Sequence, residues 1–221
     1  IAFPTVCYRK EHKGPNLDKM NKESKRFILQ QEKIEATLSG GSVRGGYHSN
    51  RQFFEQDNWA VQQLKQLITN NFTAYLKKFW QYESTASLSS VGKFQIHLGG
   101  WSVILREGDM SVPHLHPRAN ISGVYYVTTT KNSELKNNHE GNLVLCDPRI
   151  RACVAPIAGQ FPTMHIPPTV GSVVMFPSYL EHYVIPFKGK GERISIAFNI
   201  HFPKRLGGIA NTPDAQRLKE Y

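Results

Sequence analysis

Long apolar runs are missing: nowhere do eighteen consecutive hydrophobic residues occur, so the sequence offers no membrane span. The opening Ile1 to Tyr8 is too short, and too soon followed by charge, to read as an export signal. A chain that starts at Ile1 nevertheless leaves a removed leader open. Cysteine is scarce. Cys7, Cys146 and Cys153 are odd in number and spaced like neither a disulfide framework nor a zinc ribbon, which points to a reducing cytoplasm. Acidic residues are in deficit, 17 Asp and Glu against 27 Lys and Arg, for a net charge of +10. The excess is spread evenly, +5 on residues 1–92 and +5 on residues 93–221, with no basic tail or stripe. Such a diffuse excess speaks against a nucleic-acid partner and for solubility or an anionic small substrate. No internal repeat is present. What remains, 40% apolar and 20% charged over 221 residues, suffices for one globular domain with a full core.

Residues 1–16 read as an irregular lead-in broken by Pro4, Gly14 and Pro15. From Leu17 to Leu38, Met20, Phe27, Ile28, Ile34 and Leu38 suit a modestly amphipathic helix, ended by Gly40 and Gly41. Phe53 to Trp80 carries helical spacing over a long stretch, with a break expected near Asp57 to Trp59. After the Ser/Gly-rich connection 84–92 the period becomes two. Phe94 to Leu98 and Trp101 to Leu105 alternate on either side of a Gly99-Gly100 interruption. Further strands are expected at Ser122 to Thr129, Gly141 to Cys146, Gly171 to Phe176, His182 to Phe187 and Arg193 to Phe202. Helices followed by many short strands predict an α+β chain, mainly β, whose β part is a jelly-roll sandwich or barrel. The expected division is a helical region at 1–92, a β core at 93–203 and a tail at 204–221. The helices must pack on something, either the open sheet face or a second copy in a homodimer. Two connections, Thr130 to Gly141 and Arg149 to Thr169, are candidate lids.

Pro113-His114-Leu115-His116-Pro117 sets two imidazoles two residues apart. In an extended segment both rings point to one side and could share a metal, with His182 as a distant third ligand. An isolated His-x-His pair is a weak signal, which surface or packing residues produce as readily. Along Arg193 to Phe202, alternation puts Arg193, Ser195, Ala197, Asn199 and His201 on one face and Ile194, Ile196, Phe198, Ile200 and Phe202 on the other. An inward Arg beside an inward Ser asks for an anion. That anion is either a ligand carboxylate held by both residues or a protein Asp or Glu in a structural salt bridge.

Taken together, His114-x-His116-Pro117, Ser122-Gly123-Val124-Tyr125-Tyr126-Val127, Asp147-Pro148, Phe176-Pro177-Ser178, His182 and Glu192-Arg193-Ile194-Ser195-x-x-Phe198-Asn199, with Trp101 and Gly108 ahead, resemble the 2-oxoglutarate/Fe(II)-dependent oxygenase superfamily. The stretch before Phe94 is similar only loosely. The resemblance implies a double-stranded β-helix with Fe(II) held by His114, His116 and His182. It also implies 2-oxoglutarate as cosubstrate with O₂, its distal carboxylate held by Arg193 and Ser195 with Tyr126, and Ser122 on the same inward face. The implied activity is oxidative decarboxylation of 2-oxoglutarate coupled to hydroxylation of a small-molecule or peptide substrate. The sequence departs from the superfamily at His116, which stands where an Asp or Glu is usual. Three neutral imidazoles weaken the preference for iron over zinc. Asp147 could supply a carboxylate, but its place in the chain favours closing a turn before Pro148. Two other readings stay open: a cupin-like metalloenzyme without 2-oxoglutarate, and a non-catalytic jelly-roll module with structural histidines.

Overall fold

The computed structural model describes residues 4–38, 41–83, 96–130, 139–149 and 154–202. Its first strand, β1 (Tyr8–Glu11), lies in the stretch whose sequence reads as irregular, because four residues with little apolar content show no usable alternation. Helix α1 (Pro15–Ile34) starts with Pro at its first turn, where a missing N–H costs nothing. It ends four residues before Leu38, and Ile34 and Leu38 are exposed instead of joining the apolar stripe. Two short strands follow, β2 (Val43–Arg44) and β3 (Tyr47–His48). A single 3-10 turn at Phe53–Glu55 then precedes α2 (Trp59–Glu83). The break between them is where the sequence places it: Asn58 Oδ1 accepts from the backbone N–H of Ala60 (2.9 Å) and Val61 (3.3 Å), capping α2.

The β part comprises β4 (His97–Leu105), β5 (Met110–His114), β6 (Ile121–Thr128), β7 (Leu143–Cys146), β8 (Thr163–Ile166), β9 (Ser172–Pro177), β10 (His182–Val184) and β11 (Arg193–His201). They form two antiparallel sheets, β1-β9-β6-β11-β4-β3 and β2-β5-β10-β7-β8. All of β1, β2 and β3 come from the first ninety-two residues, so that region contributes strands to both sheets. Gly99 and Gly100 do not interrupt β4. The apolar phase changes there because Ile96 and Leu98 pack on the helical side while Trp101, Val103 and Leu105 face the space between the sheets. Gly100 itself is needed for packing: a Cβ there would sit 2.3 Å from the Phe54 ring. The candidate lid at Arg149 to Thr169 contains β8, which pairs along β7 as an edge strand. Most of the other candidate lid, residues 131–138, lies outside the described residues.

The helices brace the outer face of the six-stranded sheet. Val61, Leu64, Ile68, Phe72 and Tyr75 of α2 pack with Ile28 of α1 against Ile104, Tyr125, Val173 and the Ile194, Ile196, Phe198 and Ile200 face of β11. Each such side chain stabilises the fold by about 1.5–3 kcal/mol on burial. The Tyr125 hydroxyl donates to Asn21 Oδ1 (2.7 Å), tying α1 to β6. With that face covered, the opposite face of β11 looks into the space between the sheets, where polar residues need a partner. No helix among the described residues is long and apolar enough to cross a membrane.

Candidate metal centre and anion pocket

Strands β5 and β10 are antiparallel neighbours, and their register sets His182 directly opposite His114. His116 lies two residues past β5, where its N–H donates to Ser178 O (3.1 Å); Leu115 between them points out and is half exposed. Ring centroids are 4.2 Å apart for His114 and His182, and 5.1 Å from His116 to each. One ring nitrogen of each lies within 4.8 Å of the others, a group able to hold a metal ion. Among the described residues no carboxylate belongs to that group. Asp147 sits elsewhere, paired with Arg149 (2.6 Å) and accepting the Arg149 N–H across Pro148, as a turn-closing residue does. That pairing holds its carboxyl down at about 2.

Backbone carbonyls fix two of the three imidazoles. His114 Nδ1 lies 2.8 Å from Val112 O and His182 Nδ1 2.9 Å from Leu180 O. A carbonyl only accepts, so Nδ1 carries the proton and Nε2 keeps its lone pair for a metal. The corresponding neighbour of His116 Nδ1 is the Asn199 amide at 3.5 Å, which is itself held by the Ser122 hydroxyl at 2.9 Å. Ser122 both donates and accepts, so Asn199 can turn either amide atom to His116. Burial pushes all three imidazole pKa values down, His116 to about 3 and His182 to about 4, and for both these rings the neighbouring imidazoles add to the effect. Neutral imidazoles at ordinary pH are what a metal requires.

The same cavity, about 70 Å³ and lined also by Trp101 and Leu143, holds the anion-seeking residues on its inner wall. Strand β11 places Ser195 opposite Tyr126 and Asn199 opposite Ser122 on β6. Arg193 is fully buried; its Nε donates to Gly141 O (3.0 Å), its Nη1 to Ser195 Oγ (3.3 Å), and its Cζ lies 5.0 Å from the centre of the Tyr126 ring. No acidic side chain pairs with it among the described residues, so within them the structural salt bridge finds no partner. Burial lowers the guanidinium's pKa and raises that of Tyr126, whose buried hydroxyl lies beside the guanidinium without a hydrogen bond of good geometry. An orphaned phenol and an uncompensated guanidinium beside three neutral imidazoles fit a dianionic ligand that reaches from the metal to Arg193.

The sequence singles out His114, His116, His182, Arg193, Ser195, Tyr126 and Ser122, and all seven line this cavity. Ser122 sits on the His116 side, committed to Asn199, away from the Arg193 guanidinium. Sequence reasoning misses Gly141. Its φ of +71° strains any side chain, a Cβ there would sit 2.9 Å from the Phe187 ring, and its carbonyl accepts from Arg193 Nε. It also misses the role of Asn199, although alternation had set that residue on the inward face, and it gives no signal for His48 or Arg51 near Trp101.

Residues 99–199 match the model of a family described as "Putative 2OG-Fe(II) oxygenase". No curated protein matches the chain by sequence. Among solved structures, the chain is similar to a prolyl-4-hydroxylase from Pseudomonas putida, with a TM-score of 0.57, 15% identity, and coverage of 91% of this chain and 94% of that one. It is also similar to a prolyl hydroxylase from Trichoplax adhaerens in complex with a hypoxia inducible factor oxygen degradation domain peptide fragment (TM-score 0.56, 14% identity, 88% and 83% covered). A third is HygX from Streptomyces hygroscopicus with nickel, 2-oxoglutarate and hygromycin B bound (TM-score 0.50, 11% identity, 89% and 83% covered). At these identities the likeness shows the fold, the double-stranded β-helix.

Proposed function

We propose that this chain, whose residues 99–199 match the 2OG-Fe(II) oxygenase family model, is a 2-oxoglutarate/Fe(II)-dependent oxygenase that hydroxylates a small molecule or peptide with His114, His116 and His182 as the iron ligands. Iron(II), 2-oxoglutarate and O₂ supply the oxidising power, coupling decarboxylation of 2-oxoglutarate to succinate with oxidation of the substrate. The chain's own residues bind, orient and shield. Val112 and Leu180 carbonyls hold the His114 and His182 rings with Nε2 free. Arg193, steadied by Gly141 and Ser195, takes the distal carboxylate of 2-oxoglutarate, and the Tyr126 hydroxyl donates to the same group. Ser122 and Asn199 orient His116. The apolar wall of Leu143, Val184 and Phe176 keeps water from the inner pocket. The even excess of positive charge favours an anionic substrate. Cys146, a free thiol, suits a reducing cytoplasm.

The observation that carries this reading is the fully buried Arg193 without a carboxylate, facing the orphaned Tyr126 hydroxyl in the cavity of the three histidines. The test is anaerobic addition of Fe(II) and then 2-oxoglutarate to metal-free protein, following the visible charge-transfer band of chelated 2-oxoglutarate. The expected result is a saturable band, absent in His182→Ala. Stoichiometric metal without a band would favour the second reading, a cupin-like metalloenzyme without 2-oxoglutarate, which the carboxylate-free ligand set also suits.

A further inference from the structure

Near His116 the cavity is lined by Trp101, which is not one of the three clustered imidazoles and is backed by a segment outside the cavity lining. The segment 49–52 is stitched to β4: Ser49 N–H donates to Ser102 O (3.0 Å), Ser102 N–H to Ser49 Oγ (3.0 Å), and Gln52 bridges Gly100. Arg51 is therefore fixed by backbone bonds on both sides, and its guanidinium lies 5.7 Å from the centre of the Trp101 ring. Trp101 is stacked on His48 (5.5 Å, 13°), whose Nδ1 is anchored on Ser49 O (2.7 Å), and its ring centre is 5.7 Å from that of His116. The result is a braced indole with a cation at one end and a metal ligand at the other. On the same inward phase of β4, Gly99 leaves space, since a Cβ there would meet only His97 Cε1 at 3.8 Å. Arg51 is exposed and makes no ion pair among the described residues.

Charge balance gives this cation a meaning. With an all-imidazole ligand set, Fe(II) and dianionic 2-oxoglutarate sum to zero, so with Arg193 on the cosubstrate carboxylate the site keeps no net negative charge to repel a second anion beside Arg51. Building on the proposed oxygenase site, we infer that Arg51 and Trp101 form the substrate-reading wall, with Arg51 binding a carboxylate or phosphate and Trp101 taking an adjoining flat or apolar portion.

The test uses the full chain loaded with Mn(II) and saturating 2-oxoglutarate, titrated calorimetrically with phenyl phosphate, benzoate and neutral benzyl alcohol. Wild type should bind at least one anion more tightly than the alcohol, and which anion it prefers separates a phosphorylated from a carboxylated substrate. Arg51→Gln should weaken anion binding about 10- to 100-fold, the loss of one charge-assisted hydrogen bond, and leave the alcohol unchanged. Gly99→Leu should block all three. In both variants the Fe(II)/2-oxoglutarate charge-transfer band should persist. Equal anion binding by wild type and Arg51→Gln, or no anion preference in wild type, overturns the inference while a persisting band leaves the oxygenase site standing. A wild type with no band overturns the site, and the inference with it.

Discussion

Replacing Arg193 with Met separates the two things a buried guanidinium can be. If it were the anchor of a structural ion pair, its loss would strand a buried carboxylate and destabilise the protein by about 3–5 kcal/mol. Among the described residues there is no such carboxylate, only Gly141 O and Ser195 Oγ as neutral acceptors and the Tyr126 ring alongside. The methionine removes an uncompensated charge at similar length, so ligand-free stability should be unchanged or higher. Cosubstrate affinity should move the other way. Two charge-assisted hydrogen bonds to a carboxylate, each worth about 1.5–3 kcal/mol, predict a loss of at least about 100-fold. Thermal unfolding of the metal-loaded protein reads both effects. At a hundred times its dissociation constant, 2-oxoglutarate stabilises by about 2.7 kcal/mol, and after a hundredfold loss the same concentration gives about 0.4 kcal/mol. For a chain of this size those values are about 5–11 °C and about 1–2 °C in Tm. An equal 2-oxoglutarate shift in wild type and Arg193→Met, or a ligand-free variant melting far below wild type, would refute the reasoning.

Tyr126→Phe deletes the unpartnered phenol; ligand-free stability should rise or hold, since an unsatisfied buried hydroxyl costs about 1–3 kcal/mol, while 2-oxoglutarate binds about tenfold more weakly by equilibrium titration. The pH dependence of metal-free stability follows from the three depressed imidazoles. As pH falls below about 6.5 the unfolded chain takes protons that the folded one refuses until about 4 at His182 and about 3 at His116, so stability is fully present above 6.5 and drains away toward 4. Each refused proton contributes a slope of about 1.4 kcal/mol per pH unit. Urea midpoints at pH 7, 6, 5 and 4.5 should therefore fall steadily, and less steeply in His116→Asn; a flat profile contradicts the burial of these rings. Gly141→Ala forces a side chain into a positive φ and against Phe187 and Arg193, so it should destabilise by more than about 1 kcal/mol and weaken 2-oxoglutarate binding with it, checked in the same titrations.

The sequence by itself determined which side chains share a face. Period two along Arg193 to Phe202 separates Arg193, Ser195 and Asn199 from the isoleucines whatever lies opposite, because side-chain direction in a strand is a local property. In the same way His114 and His116 project to one side of the exposed Leu115, and the helical period of α2 marks the stripe that covers the sheet. Where local pattern was thin, as in the four residues of β1, or changed phase because both faces of β4 are buried, the strands were not legible or looked broken. Only the tertiary structure decided what meets across the gap. Registers between strands distant in sequence set His182 against His114 and Ser195 against Tyr126, and carried the Gly141 carbonyl to Arg193. The lack of a carboxylate at Arg193 among the described residues, the orphaned Tyr126 hydroxyl and the stitching of Arg51 beside Trp101 are likewise facts about neighbours. Long-range pairing is chosen by the burial of the whole chain, and no local period encodes it.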